Sequence, residues 1–248
     1  MEVGFKSDKG LWRTNNEDAC FILLPDKVYV VADGVGGGNA GEIASRTAVS
    51  QIANYIVDNP IQEKDSKYKI ASYFRECLDS ANRKIFELSN KYEENYGMAT
   101  TVVIVYADRG KAYITNVGDS RAYLFRENQL LQLTEDHTYV NTLVKAGILS
   151  REEAEVDERK NVITRALGAD FEVEPDFFQV DIKKDDLIII CTDGLYDEVG
   201  NPEMIDVLRQ NLSMSDVCRE LVAIANKNGG HDNITVISLR VTEEDINE

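Results

Sequence analysis

Residues 98–133 read MATTVVIVYADRGKAYITNVGDSRAYLFRENQLLQL. Four short runs rich in apolar, β-branched and aromatic residues, at 98–106, 111–116, 121–125 and 130–133, follow one another with only tight turns between them. Runs of this kind are strands, and strands joined by turns too short for a crossover helix are antiparallel. The segment therefore predicts an antiparallel β meander. On its N-terminal side, residues 3–6, 19–24 and 27–32 read as further strands, the last two joined as a hairpin at Pro25-Asp26. A glycine-rich loop at 34–38 precedes a stretch, 40–57, with Ile43, Ala44, Thr47, Ala48, Ile52, Tyr55 and Ile56 at helical spacing. Asn39 is placed to cap that helix, with Glu42 in the capping-box position. A polar break at 58–67 leads into a longer helix through about Tyr92, its inner face carrying Ile70, Phe74, Cys77, Leu78, Ala81, Ile85 and Leu88. On the C-terminal side, 138–158 is charged with helical pieces, 177–182 and 187–191 return to strand, 202–212 and 215–227 are helical, and 234–241 is a closing strand. The acidic tail 243–248 is expected to fray. The order is strands, two helices, strands, two helices, strand, without the strand–helix alternation of a parallel doubly wound sheet. It predicts an α+β fold: one domain over 1–242, built as a four-layer α-β-β-α sandwich of two antiparallel sheets flanked by helix pairs.

Composition narrows the function. The 248 residues hold 27 Lys and Arg against 44 Asp and Glu, a formal net charge of −17. Such a chain repels a phosphate backbone, so general nucleic-acid binding is excluded. The bland reading of the acidity is solubility; the sharper one is that some carboxylates converge on cations. A chain of this length hides roughly 70–75% of its unfolded surface and needs no staple. No apolar stretch approaches the roughly 20 residues that span a bilayer, and the first residues carry no basic-then-apolar signal. The four cysteines, Cys20, Cys77, Cys191 and Cys218, form no Cys-x-x-Cys pair, which with no secretory signal suits a reduced, cytoplasmic protein. With only His137 and His231 present, any metal must be held mainly by oxygen. No long apolar surface pattern is left over, so a monomer is expected.

The aspartates fall at strand ends. The run 28–32 ends in Asp33-Gly34, 114–118 in Asp119-Ser120, and 187–192 in Asp193-Gly194, while Asp232 opens the strand 234–241. One such Asp is ordinarily a turn former. Four meeting at one rim would repel, and a bound dication is the natural compensation. Carboxylates with a backbone carbonyl and water suit Mg²⁺ or Mn²⁺, and Gly34, lacking Cβ, lets its carbonyl approach an ion. The loop 36–41 fits G-x-G-x-x-G, but a second long helix follows where a dinucleotide fold needs a strand, and no Walker lysine is present. Arg13 reads either as a surface ion-pair partner or as a two-pronged phosphate clamp beside the metals.

Eight stretches together carry a family resemblance: 13–18 (RTNNED), 32–45 (ADGVGGGNAGEIAS), 97–101 (GMATT), 116–123 (NVGDSRAY), 134–138 (TEDHT), 163–168 (ITRALG), 192–195 (TDGL) and 230–235 (GHDNIT). In this order and spacing the chain resembles the bacterial metal-dependent protein phosphatases (PPM, or protein phosphatase 2C), a serine/threonine phosphatase family whose fold is the sandwich deduced above. The resemblance implies hydrolysis of phosphoserine and phosphothreonine on proteins by a metal-bridging hydroxide, often opposing a Ser/Thr kinase of the same cell. It implies two tight Mn²⁺ or Mg²⁺ sites: Asp33 bridging both ions, the Gly34 carbonyl on one, Asp193 and Asp232 on the other. Asp119, with Asp193, would hold a third, weaker ion. Glu17 and Asp18 would act through metal-bound waters, and Arg13 would hold the substrate phosphate. Residues 138–159 match a flap bordering the site. The sequence departs from the family where many bacterial members have His and this chain has Gly38, so the leaving-group proton is left to His137, His231 or metal-bound water. The rival reading is a catalytically weak phosphoprotein-binding regulatory domain, but such degenerate members usually lose metal aspartates, and Asp33, Asp119, Asp193 and Asp232 are all present.

Overall fold

A computed structural model describes residues 1–24, 27–38, 40–61 and 66–247. The turn expected at Pro25-Asp26 and the cap expected at Asn39 lie outside them. In chain order the elements are β1 (Glu2–Asp8), β2 (Asp18–Leu23), β3 (Val28–Val35), α1 (Ala40–Asp58), α2 (Lys67–Lys91), β4 (Ala99–Thr100), β5 (Val102–Asp108), β6 (Lys111–Val117), β7 (Arg121–Arg126) and β8 (Gln129–Gln132). There follow α3 (Tyr139–Lys145), α4 (Arg151–Val156), β9 (Asp176–Asp181), β10 (Leu187–Cys191), α5 (Asp193–Tyr196), α6 (Asn201–Leu208), α7 (Met214–Asn228), β11 (Ile234–Arg240) and α8 (Glu244–Asn247). One sheet has the order β1-β11-β10-β7-β8 and the other β2-β3-β5-β6-β9, with β4 paired to the end of β3. Every pairing is antiparallel.

Three apolar layers make this a four-layer sandwich. Val28 and Val30 of β3 and Ile104 of β5 meet Ile52, Ile56, Phe74, Leu78 and Ile85 of α1 and α2. Ile189, Cys191 and Val236 meet Met204, Val207, Val217 and Leu221 of α6 and α7. Between the sheets lie Tyr29, Val31, Val103, Ile114, Leu124, Ile188, Ile190, Ile237 and Leu239. The unbroken LIIIC of β10 is explained by this arrangement: Leu187, Ile189 and Cys191 face helices while Ile188 and Ile190 face the other sheet. Each such side chain contributes about 1.5–3 kcal/mol on burial.

Several expectations are corrected. Residues 98–133 are not one meander: β5 and β6 pair in one sheet, β7 and β8 in the other, and the chain crosses between sheets at Gly118–Ser120. Hydrophobic alternation marks a strand but not which sheet it joins. The run 98–106 breaks at Thr101 into β4 and β5. Ile43 is 37% exposed, and the buried stripe of α1 runs through Ala44, Ala48, Ile52 and Ile56. The helix expected to Leu212 ends at Leu208. The acidic tail does not fray over its described part. It forms α8, and Asp245, buried at 3% exposure, accepts from the Met1 ammonium at 2.9 Å and from the Thr242 N–H and Oγ1 at 2.8 and 2.7 Å. Composition alone cannot foresee a partner at the far end of the chain. Among the described residues no helix is long and apolar enough to cross a membrane.

Candidate active site

The site is where the inter-sheet core stops being apolar. Along β3 the inward column runs Tyr29, Val31 and then Asp33; along β2 it runs Ile22, Cys20 and then Asp18. The β2–β3 register sets Asp18 directly opposite Asp33. On the facing sheet the same alternation leads from Ile188 and Ile190 to Thr192, and from Leu239 and Ile237 to Thr235. Thr192 Oγ1 donates to Asp18 Oδ2 at 3.0 Å, so the two sheets are stitched at this rim. Asp193 follows at the start of α5, Asp119 sits on the crossing between β6 and β7, and Asp232 precedes β11.

Two glycines let these carboxylates gather. A Cβ on Gly34 would overlap the Gly41 carbonyl of α1, and one on Gly194 would overlap the Asn233 carbonyl. Each strand end therefore abuts a neighbouring backbone, throwing the preceding aspartate into the rim. Gly34 is required first for this packing, a reason more immediate than the carbonyl approach expected of it. Asn233 locks the approach loop: its side chain accepts from Glu17 N–H at 2.8 Å and donates to the Lys9 and Asn15 carbonyls, each at 2.9 Å. Ser45 Oγ and Gly34 N–H both donate to the Glu17 carbonyl.

The electrostatics are those of crowded buried anions. Burial, and then the neighbouring carboxylates, push Asp33 well above the ordinary range. The same causes raise Asp18 to about 7, Asp119 to about 8 and Asp193 to about 6. Asp33 and Asp193 lie within hydrogen-bonding reach of one another. One oxygen each of Asp18, Asp119 and Asp193 is buried without a hydrogen-bond partner. Orphaned carboxylate oxygens aimed into an acidic rim are the donor set of a hard dication. Among the described residues no three carboxylate, imidazole or thiol groups close into a metal cage.

Arg13 is half exposed, and its Nη2 donates to Asp232 Oδ2 at 2.6 Å. This is the ion-pair reading of Arg13, formed with a site carboxylate. His137 is buried: its Nδ1 accepts from Gly118 N–H at 3.0 Å while its Nε2 faces Asp176 Oδ2 at 3.1 Å. Burial lowers its proton affinity, and its contacts are structural. His231 pairs with Glu198 at 2.6 Å. Sequence reasoning missed Thr192, Thr235, Asn233 and Tyr196, whose hydroxyl donates to the Asp119 carbonyl at 3.0 Å. Strand alternation continued one step past the apolar run would have found the two threonines. The cysteines are free, with Cys77, Cys191 and Cys218 buried and Cys20 half buried.

Comparison with known proteins agrees with this architecture. The family model of protein phosphatase 2C matches residues 6–234. The protein phosphatase PhpP of Streptococcus pneumoniae is 36% identical, covering 99% of both chains. The serine/threonine phosphatase of S. agalactiae superposes with a TM-score of 0.89 at 34% identity over 97% of this chain and 99% of that one. The catalytic domain of the serine/threonine phosphatase PstP, in complex with two manganese ions, superposes at 0.85 with 31% identity over 97% and 98%. Sequence motifs, sandwich topology and full-length similarity agree, and the chain belongs to the bacterial protein phosphatase 2C (PPM) family of serine/threonine phosphatases.

Proposed function

We propose that this phosphatase hydrolyses phosphoserine and phosphothreonine on proteins with two Mn²⁺ or Mg²⁺ ions held at the aspartate rim, and a third, weaker ion at Asp119. The observation that carries the metal reading is the set of unpartnered buried oxygens on Asp18, Asp119 and Asp193. The manganese-bearing relative supports it. Asp33, within reach of Asp193 and opposite Asp18, would be shared between the ions. The Gly34 carbonyl, Asp193 and Asp232 would complete the protein's share of the ligands. Glu17 and Asp18 orient water at the rim. When bound, such ions lower the proton affinity of water and offset charge on the phosphoryl oxygens. Arg13 uses the donors not engaged by Asp232 to hold the phosphate and to oppose charge as it builds. Residues 138–159, which hold α3 and α4, form the flap bordering the site, joined toward it by Lys160 to Asp197 at 3.0 Å. The substrates include phosphoproteins made by a Ser/Thr kinase of the same cell, and the enzyme works as a cytoplasmic monomer.

The test is hydrolysis of a phosphothreonine peptide with Mn²⁺, with chelator, and in Asp33→Asn. Activity that requires Mn²⁺ and disappears in the variant supports the reading. Wild-type turnover by Asp33→Asn at saturating Mn²⁺ refutes it.

A further inference from the structure

The chain has one tryptophan, and it stands at the rim of the site. Trp12 is 72% exposed and Leu11 beside it 68%. Such exposure ordinarily goes with mobility, but this loop is tied down. Leu11 N–H donates to the Gly230 carbonyl at 2.8 Å, Trp12 Nε1 to the Gly229 carbonyl at 3.2 Å, and Arg13 to Asp232. The indole stacks on His231 with ring centroids 5.7 Å apart and an interplanar angle of 14°. His231 is in turn held by Glu198, through Nδ1 at 2.6 Å. The imidazole packs offset against the indole and the ring edge is hydrogen-bonded, so a largely exposed indole is held in place one residue from Arg13.

We infer that Trp12, backed by His231 and Glu198, is a specificity platform for a Lys or Arg side chain flanking the phosphorylated residue of the substrate protein. The inference rests on the phosphatase reading, with Arg13 as the phosphate anchor. A group beside Arg13 is within one side chain's length of the phosphoryl group, so what covers the indole belongs to a neighbouring substrate residue. The exposed indole attracts a cation. The carboxylates nearby, Asp232 and Glu17 acting on Arg13 and Glu198 bonded to His231, disfavour an acidic flank, as does the chain's net charge of −17. Leu11 offers a surface for the aliphatic stem of such a side chain. Because Trp12 is already ordered, little freedom is lost when the platform is used.

The experiment compares wild type, Trp12→Ala and Trp12→Phe on two phosphothreonine peptides that differ only in Arg or Ala at the flanking position, with p-nitrophenyl phosphate as the reference lacking any flank. The wild type prefers the Arg peptide through KM, Trp12→Ala diminishes that preference by about 3- to 30-fold, and Trp12→Phe retains part of it. An equal loss on both peptides, or an unchanged preference in Trp12→Ala, overturns the platform. Should Trp12→Ala fail to fold, wild-type fluorescence decides, because Trp12 is the sole indole. A hydrolysis-resistant phosphonate peptide with Arg shifts its emission more than the Ala counterpart, and identical responses overturn the proposal. If p-nitrophenyl phosphate is not turned over with Mn²⁺, the phosphatase reading falls and the platform with it. If it is turned over and the wild type treats both peptides alike, the platform alone falls.

Discussion

Asp193→Asn removes one negative charge from the crowded rim while keeping the shape of the side chain. The Asp193 carboxyl is raised to about 6, first by burial and then by Asp232 and Asp197. A carboxyl whose folded-state value is raised binds its proton more tightly when folded. Its contribution to stability is fully present below the ordinary value near 4 and is lost as pH rises through about 6. Each unit is worth about 1.4 kcal/mol. A displacement from 3.8 to about 6 therefore destabilises the metal-free chain at pH 8 by about 3 kcal/mol. An amide at this position carries no charge and can donate to Asp33. At about 2–4 °C per kcal/mol for a chain of this size, the variant should melt about 6–12 °C above wild type at pH 8 in chelator. The gap should close toward pH 4–5. Saturating Mn²⁺ should narrow or reverse the order, since binding at 100 times Kd adds about 2.7 kcal/mol to the wild type, while on the proposed ligand set the variant should lose metal affinity and activity. Thermal melts in EDTA at pH 5 and pH 8, repeated with Mn²⁺, read all of this. A variant that melts at or below wild type in EDTA at pH 8 refutes the claim that burying a charge among like charges at Asp193 destabilises the metal-free rim.

Three further outcomes are expected. Arg13→Ala should raise KM for a phosphopeptide at least about 10-fold, from the ~1.5–3 kcal/mol of a charged hydrogen bond, and should lower kcat less. An unchanged KM leaves Arg13 as no more than the partner of Asp232. Asp119→Ala should slow turnover but spare the tight metals in isothermal titration, and loss of all metal binding would put Asp119 in the central pair. At Gly38, where φ is 65° and a Cβ would meet nothing within 4 Å, Ala and His should each cost about 1–2 kcal/mol through the backbone alone. Both variants should depress aryl phosphate and phosphopeptide turnover alike. A gain by Gly38→His on the peptide alone would instead show that a missing general acid limits the enzyme.

The layers of the fold were legible because burial leaves a signature. A run such as LIIIC is polar on neither face only when both faces are covered, and the order of strand and helix blocks then leaves few ways to stack them. What stayed hidden were partnerships at long range. Nothing local in 116–123 says that the chain changes sheets at Gly118, because the strands on either side have the same composition. The docking of Asp245 against Met1 is likewise invisible to a composition that reads only an acidic tail. In the site, the aspartates were visible as carboxylates at strand ends, but Thr192 and Thr235 were not singled out. They carry no charge, and their role comes from facing Asp18 across the gap between sheets.

The same observation says why the site depends on the whole sandwich. Asp18 and Asp33 belong to one sheet, while Thr192, Asp193 and Asp232 belong to the ends of β10 and β11 in the other. The carboxylates meet only if Ile188, Ile190, Ile237 and Leu239 hold the facing sheet against Tyr29 and Val31 at a fixed height. Slipping one strand by a residue would turn its inward column outward and carry its rim side chain out of the site. The like charges oppose that register, and the inter-sheet core imposes it. Folding therefore holds the anions together before any cation is available, and the raised proton affinities of Asp18, Asp33, Asp119 and Asp193 register that constraint. An apolar layer far from the chemistry thus gives the rim its affinity for positive charge.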